Sequence, residues 1–158
     1  MGAMIFRPAT KKDSAFLFLL RNEPSVIEMS ATSRGVNRPE HARWLAKALK
    51  DEAVQIYIAE MDTRTEAWQP VKMRPVGMGR INLIEPGIAV LSYAVSSPYR
   101  QSGIGTNIIY ELGRAAKKLG CRQVQALVQF RNTASLKALL SSEFTVSEHE
   151  LLRLEKML

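Results

Sequence analysis

The spacing of apolar residues predicts one strand and two helices in the first third of the chain. Residues 4–9 are mostly apolar and end at Pro8-Ala9, as a short strand would. A helix through Leu20 is predicted to follow, and a second helix is predicted to begin at Arg38, where apolar residues recur at helical spacing. The segment between them, residues 22–37, is polar and rich in turn-forming residues, so we expect a loop large enough to contact a substrate.

The rest of the chain alternates predicted strands with two further helices. The helices are expected over residues 106–119, closed by Gly120, and over residues 132–140, where Asn132 is available as the N-cap. Strands are predicted over residues 54–58, 76–83, 88–95 and 123–128, with one or two more between Phe144 and Leu158. The stretch from Asp62 to Pro75 is predicted to be a mobile hairpin connection. The order β-α-α-β-β-β-α-β-α-β is that of an α+β (mixed α/β) domain and not of a doubly wound sheet.

Length and composition then narrow the class of protein. A chain of 158 residues is about one domain's worth, so we predict a single domain over residues 1–158. With one cysteine, Cys121, and two histidines, the chain lacks the residues for an internal disulfide or the usual zinc spacings, so we expect no metal and a reducing, cytoplasmic location. No apolar run reaches the ~18 residues of a membrane span. The net charge of +7 indicates an anionic partner: nucleic acid, a membrane surface or a phosphorylated small molecule.

Residues 97–106 have the features of an anion-binding loop. They join an apolar strand to an amphipathic helix, whose first backbone N–H groups have no partners within the helix. Gly103 and Gly105 permit positive φ and a close approach, so that the N–H groups and the helix dipole would favour a pyrophosphate. Arg100 and Thr106 are expected to add side-chain donors. The loop lacks the Gly-Lys-Ser/Thr of a P-loop and the third glycine of a dinucleotide fingerprint, and a plain glycine turn is the alternative.

The run Arg100-Gln101-Ser102-Gly103-Ile104-Gly105 resembles the Gln/Arg-x-x-Gly-x-Gly/Ala pattern of the GNAT family of acyl-CoA-dependent N-acetyltransferases. The resemblance continues in Leu91-Ser92-Tyr93-Ala94-Val95, and in Asn132-Thr133-Ala134-Ser135 with Phe144. It implies a splayed central sheet with acetyl-CoA, as cosubstrate, between the fourth and fifth strands. It also implies a set of cofactor-binding residues: Ala94 and Val95 for pantetheine, Arg100, Gln101, Ser102, Gly103, Ile104, Gly105 and Thr106 for the pyrophosphate, and Asn132 for the pantetheine arm, unless Asn132 is only a helix cap.

The acid and base of such a reaction are harder to assign from the sequence. Direct transfer needs a base for the amine and a proton donor for the departing thiolate. The family's usual tyrosine is replaced by Leu139, a glycine by Glu143, and a glutamate found in some members by Val90. We therefore consider Glu85 and Tyr93 as catalytic candidates, with Glu23 or His41 as alternative bases. The simpler interpretations are a turn for Glu85 and an exposed helix residue for His41.

The acceptor side of the chain resembles a GNAT branch that acetylates nucleotide-linked amino sugars. The resemblance lies in Asn22, Val26 and Ser30, in Glu40-His41 with Trp44, and in Gly79-Arg80-Ile81, while Glu28 stands where arginine is usual. It implies that five residues contact the acceptor: Arg21, Asn22, Glu23, His41 and Arg80. A protein N-terminus, a polyamine or another small amine is an alternative acceptor, and a non-catalytic acyl-CoA-binding regulator is an alternative function.

The distribution of charge favours a phosphorylated small molecule among the three anionic partners. Residues 100–137 hold seven basic residues and one acidic residue, Glu111, so most of the net charge of +7 lies in the half predicted to bind CoA. CoA carries a pyrophosphate and a ribose phosphate, whereas the chain has no recognisable nucleic-acid-binding signature. We therefore expect no nucleic acid or membrane partner. An exposed sheet edge makes a homodimer a further expectation.

Overall fold

The strands of the protein form one seven-stranded sheet in a computed structural model that describes residues 3–30, 32–148 and 152–158. The order across the sheet is β1-β2-β3-β4-β5-β7-β6. The strands are β1 (Ile5–Pro8), β2 (Val54–Asp62), β3 (Met73–Glu85), β4 (Ile88–Val95), β5 (Gln123–Val128), β6 (Thr145–Glu148) and β7 (Leu152–Met157). The helices are α1 (Ser14–Arg21), α2 (Pro24–Met29), α3 (Arg38–Ala48), α4 (Ile104–Lys118) and α5 (Thr133–Ser141). The predicted mixed α+β class is confirmed.

The sheet opens between β4 and β5, the one parallel pair of strands among the described residues. Their ladder joins Ile88–Leu91 to Gln123–Ala126 and stops there, although β4 continues to Val95 and β5 to Val128. On their other edges both strands stay paired, β4 with β3 up to Val95 and β5 with β7 over its whole length. The C-terminal ends of β4 and β5 therefore diverge, which confirms the splayed sheet that the family resemblance implies.

Helix α4 covers one face of the sheet, and two glycines let it approach closely. Its buried side chains include Ile108 and Leu112, which belong to a core shared with β3, β4 and β5. A Cβ atom at Gly79 would lie 2.8 Å from Leu112 Cδ2, and one at Gly77 would lie 2.9 Å from Ile108 Cδ1. Because real contacts of this kind are almost never so short, β3 needs glycine at both positions to hold α4 against it.

Helices α1 and α3 cover the opposite face through a smaller apolar core. Leu17 of α1 and Leu45 of α3 pack there with Ile56 and Ile58 of β2. Residues of β3 and β4 that pair with Ile56 and Ile58 point to this same face, because side chains alternate along a strand. The two faces of the sheet are thus divided between α4 and the pair formed by α1 and α3.

One detail of the predicted order needs correction, and the tail agrees with the prediction of one or two strands. A loop was predicted over residues 22–37, but Pro24–Met29 forms the short helix α2, with Pro24 in its first turn and no fully buried side chain. Such a helix has no apolar stripe for a periodicity argument to detect. In the tail, two strands pair with each other, β6 with β7, and residues 149–151 lie outside the described part. None of the helices in the described ranges has the length and apolar character required to cross a bilayer.

Candidate functional site

The loop between β4 and α4 presents a series of backbone N–H groups that have no acceptor. In the described residues, none of the N–H groups from Gln101 to Thr106 donates a hydrogen bond, and the first helical bond of α4 runs from Asn107 N to Gly103 O at 3.1 Å. Gln101 (φ 59°) and Gly103 (φ 82°) have left-handed backbone, which turns successive amides toward a common side. Such an array at a helix N-terminus favours an anionic ligand.

The divergence of the sheet lies directly before this loop. Residues Ser92 to Val95 of β4 continue past the last pair with β5, so their edge that faces β5 has no strand partner in the described structure. Neighbouring residues of a strand direct their backbone groups to opposite edges, and Ser96 N donates to Val76 O of β3 at 2.9 Å. Of the two predicted contributors, Val95 therefore faces the opening, whereas the backbone groups of Ala94 face β3, which corrects the prediction for Ala94. An extended ligand that leaves the loop can therefore run along β4 into the opening.

Arg100 is predicted to bind the cofactor's phosphates, but its guanidinium contacts other groups of the protein instead. Its Nε donates to the carbonyl of Val95 at 2.9 Å, its Nη2 lies 3.1 Å from Glu23 Oε2, and its Nη1 donates to Ser25 Oγ. All three nitrogen atoms of the guanidinium are thus bound within the protein. Arg100 fastens the loop to the beginning of α2.

Glu23 is the anionic centre of the same contacts and is not a free base. Besides Arg100, it accepts hydrogen bonds from Ser96 Oγ at 2.9 Å, Ser97 N at 3.1 Å and Ser97 Oγ at 2.7 Å. We call Glu23, Ser25, Ser96, Ser97 and Arg100 the loop clamp. Sequence reasoning missed the three serines, because no motif marks them and Ser25 lies 75 positions before Arg100.

Tyr93 bridges β4 and α5 beside the opening. Its hydroxyl donates to Ser135 Oγ at 3.1 Å, and a Cβ atom at Gly105 would lie 3.2 Å from its Cε2. Burial raises the pKa of the Tyr93 phenol, an effect that the hydrogen bond with Ser135 partly offsets. The phenol therefore stays protonated near neutral pH. Asn132 caps α5, since its Oδ1 accepts from Ser135 N at 3.2 Å.

The two departures from the family pattern near α5 have different structural consequences. Leu139 is 1% exposed and belongs to the apolar core, so this position of α5 supplies no hydroxyl. Glu143, which stands where a glycine is usual, has φ 68°. This left-handed conformation is the one that glycine adopts without cost. The backbone at Glu143 has thus kept a glycine-like geometry although the residue has changed.

Three of the predicted acceptor-contacting residues gather where α1, α3 and β3 meet. His41 is 4% exposed, and its ring lies 5.8 Å from that of Phe18 and 5.3 Å from that of Trp44. Burial lowers the pKa of His41, and the nearby charge of Arg21 lowers it further, so the imidazole is neutral at pH 7. The guanidinium of Arg80 lies 5.9 Å from the centre of the Trp44 ring.

The other two predicted residues do not belong to this group. Asn22 uses its side chain to shape the chain after α1: its Nδ2 donates to Phe18 O at 3.0 Å and its Oδ1 accepts from Val36 N at 2.9 Å. Glu23 is held in the loop clamp. Both side chains are engaged in contacts within the protein, and their contact with an acceptor stays a prediction.

The prediction that Glu85 is catalytic is wrong, because this residue lies at the end of the sheet opposite the loop. It pairs with Ile88 at the start of β4, whereas the loop follows Val95 at the end of that strand. Seven residues of extended chain span roughly 23 Å. Glu85 lines a shallow depression with Leu83, Leu119 and Cys121, and we assign it no part in the site. Cys121 is buried and burial raises the pKa of its thiol, as expected for a small core residue.

Comparison with known proteins shows which solved structures share this fold and which family the chain matches. Sequence comparison with curated proteins finds no significant match. A domain from Methanocaldococcus jannaschii is similar in fold, with a TM-score of 0.86 and 17% sequence identity over 100% of both chains. Spermidine N-acetyltransferase from Vibrio cholerae, in complex with CoA and spermine, has a TM-score of 0.83 and 13% identity over 98% of this chain and 95% of that one. An aminoglycoside acetyltransferase in complex with paromomycin and acetyl-CoA has a TM-score of 0.80 and 15% identity over 98% of this chain and 93% of that one.

The match to a family model covers most of the chain. The model of an acetyltransferase (GNAT) domain matches residues 3–145 of 158, which includes both the splayed strands and the loop. No group of three or more metal-ligating side chains is found in the described part of the chain. The free amides, the opening in the sheet and the family match agree, and the chain belongs to the GNAT family of acetyltransferases.

Proposed function

We propose that the protein transfers the acetyl group of acetyl-CoA directly to a primary amine. The observation that carries this proposal is the run of free N–H groups from Gln101 to Thr106 beside the opening between β4 and β5. The amides suit a diphosphate, because each is an unsatisfied donor and the helix dipole adds positive potential. The excess of basic residues over residues 100–137 adds further attraction for the CoA phosphates.

The cosubstrate would be held by backbone more than by side chains. The amides of Gln101, Ser102, Gly103, Ile104, Gly105 and Thr106 would bind the diphosphate. The N–H of Val95, on the free edge of β4, would donate to a pantetheine carbonyl, since the Val95 carbonyl already accepts from Arg100. Asn132 caps α5 and adds at most a secondary contact. Arg100 acts through the clamp: it fixes the loop and Val95 in place instead of touching a phosphate.

Tyr93 is the catalytic residue we propose for the leaving group. In direct transfer the neutral amine attacks the thioester carbonyl, the carbon–sulfur bond breaks, and the departing thiolate takes up a proton. The Tyr93 hydroxyl lies between β4 and the first turn of α5, and its raised pKa keeps it a donor. The amine's proton would pass to water, since Glu23 is bound in the clamp and Glu85 is remote.

The acceptor we propose is an amino sugar linked to a nucleotide. Support comes from the placement of Arg21, His41, Trp44 and Arg80, which meet on the face of the sheet covered by α1 and α3. A ring system that stacks on Trp44 and a phosphate that binds an arginine suit this surface. A protein N-terminus or another small amine is the alternative acceptor. A cytoplasmic location and a homodimer stay predictions of the sequence.

The decisive experiment measures release of CoA thiol from acetyl-CoA in the presence of a panel of amines. The panel contains amino-sugar nucleotides, peptides with free N-termini, polyamines and aminoglycosides, and mass spectrometry identifies the acetylated product. Thiol release that depends on one class supports the proposal and names the acceptor. Tight CoA binding without acceptor-dependent release would instead favour a regulatory domain, an alternative that the buried Leu139 supports.

A further inference from the structure

We infer that the acceptor carries an anionic group, a phosphate or a carboxylate, which binds a cluster of arginines and aromatic rings on the acceptor face. The inference rests on the proposed acetyl transfer to a primary amine, and it names the group by which the acceptor is recognised, whether or not that acceptor is an amino-sugar nucleotide. The arginine–aromatic cluster consists of Arg21, Arg38 and Arg80 with Phe18, His41 and Trp44. Its contacts form a chain: Arg38 lies over Phe18 at 5.0 Å, Phe18 contacts His41, His41 contacts Trp44, and Trp44 contacts Arg80.

The carboxylates of the surrounding helices are all used by other cations. Glu23 binds Arg100 at 3.1 Å, Glu28 lies 3.7 Å from Arg131, and Glu40 binds Arg34 at 2.7 Å. In the described part of the chain, no carboxylate forms an ion pair with Arg21, Arg38 or Arg80. Three guanidinium groups thus share one surface without a counter-charge.

Two of these guanidinium groups are also partly removed from water. Nη1 of Arg21 is buried and has no hydrogen-bond partner, and burial lowers the pKa of Arg80. A buried donor without a partner costs stability, and a buried charge without a counterion costs more. Proteins keep such groups where a ligand completes them, and the ligand that completes an arginine is a carboxylate or a phosphate.

The cluster lies at the right place to hold an acceptor at the opening. Arg80 pairs with Ser92, the first residue of β4 beyond the ladder with β5, and with Ile56, whose side chain marks the face of α1 and α3. Side chains of paired residues share a face, so Arg80 projects on the acceptor side beside the point where the strands separate. An anion held there would bring its attached amine to the opening. Spermine and paromomycin, which bind to two of the related structures, are polycations and would be repelled.

The test compares amines that differ only in an anionic group. Glucosamine 1-phosphate is compared with glucosamine, alanine with alaninamide, and spermidine serves as the polycation. We expect the anionic member of one pair to have at least about a tenfold higher kcat/KM than its partner, since a hydrogen bond to a charged group changes affinity by about ten- to a hundredfold. The pair that shows the preference distinguishes phosphate from carboxylate.

Variants separate recognition of the anion from a structural role. Arg80→Gln and Arg21→Gln should remove most of the preference, because kcat/KM should fall much further for the anionic member of a pair than for its neutral partner. Arg80→Lys should keep part of the preference. Arg122→Gln is the matched control: Arg122 is exposed, forms no ion pair with a described residue, and lies beside Gly87 at the opposite end of β4. An unchanged Kd for CoA shows that the variants are folded.

The inference is overturned if spermidine or the neutral amines are the better acceptors, or if the two variants lower kcat/KM equally for both members of a pair. If no amine is acetylated, the proposed function fails, and calorimetry on the CoA-saturated protein decides the inference separately. Glucosamine 1-phosphate binding that is stronger than glucosamine binding, and that is lost in Arg80→Gln, supports an anion site. Equal binding of the two sugars overturns it.

Discussion

Replacing Gly103 by alanine tests the assignment of the loop, and the chain supplies a control with the same backbone. Gly103 has φ 82° and Gly120 has φ 86°, at opposite ends of α4, and a Cβ atom at either would meet no atom within 4 Å. Neither substitution therefore causes a clash. Any difference between the two variants must come from what binds beside Gly103.

The effect on stability should be the same at both positions. A side chain in the left-handed region costs about 1–2 kcal/mol. Alanine also restricts the unfolded chain, which offsets about 0.4–1 kcal/mol of that cost. We expect each variant to lose about 1 kcal/mol of unfolding free energy in urea denaturation, and to remain folded.

The effect on CoA binding should appear only at Gly103. The methyl group would stand beside the amides of Gln101 to Thr106 and keep a phosphate from at least one of them. A hydrogen bond to a charged group contributes about 1.5–3 kcal/mol, so the Kd for CoA, measured by calorimetry, should rise at least about tenfold in Gly103→Ala. It should not change in Gly120→Ala. Equal Kd values for the two variants would refute the assignment of the diphosphate to this loop.

Three further predictions concern stability and the clamp. Glu143→Gly should raise the unfolding free energy by about 1 kcal/mol, because φ is 68° there, and a loss in urea denaturation would contradict this. Glu23→Gln should lower the unfolding free energy by about 1–2 kcal/mol and raise the KM for acetyl-CoA. The control Glu28→Gln removes a charge from an exposed pair, so it should change the unfolding free energy by less than about 0.5 kcal/mol and the KM by less than about twofold. Hydrogen bonds from Arg7 lower the pKa of Asp13 below its usual value, so this pair stabilises the fold above about pH 4 and the contribution is lost as the pH falls through the lowered pKa. Urea titrations from pH 7 to pH 2 should show a smaller loss for Asp13→Asn than for the unmodified protein.

The sequence predicts well those parts of the fold that are defined by local pattern. The apolar run of β4, the amphipathic face of α4 and the glycine at its C-terminal end each reflect neighbouring residues, and the structure confirms all three. Gly103 likewise has the positive φ that its place before α4 predicts. The start of α4 was predicted two residues late, because Ile104 and Gly105 were assigned to the loop.

The parts that the sequence did not predict depend on distant contacts. Arg100 looks like a phosphate ligand until Glu23 is found beside it, 77 positions earlier in the chain. Helix α2 has no buried side chain and is attached through Glu23 and Ser25, so no periodicity reveals it. Glu85 differs from these residues, because the tight turn between β3 and β4 is a local feature that places it at the other end of β4 from the loop.

The loop clamp links the two proposed substrate-binding regions through a few hydrogen bonds. Glu23 and Ser25 belong to the segment between α1 and α3 that borders the acceptor face, while Ser97 and Arg100 belong to the segment that leads into the amide array. A ligand that shifts one segment therefore acts on the other through the same few hydrogen bonds. Thermodynamic linkage makes this coupling reciprocal: the factor by which CoA changes the affinity for the acceptor equals the factor by which the acceptor changes the affinity for CoA. In the proposed reaction, the clamp would therefore couple the binding of acetyl-CoA to the binding of the amine before any bond is made or broken.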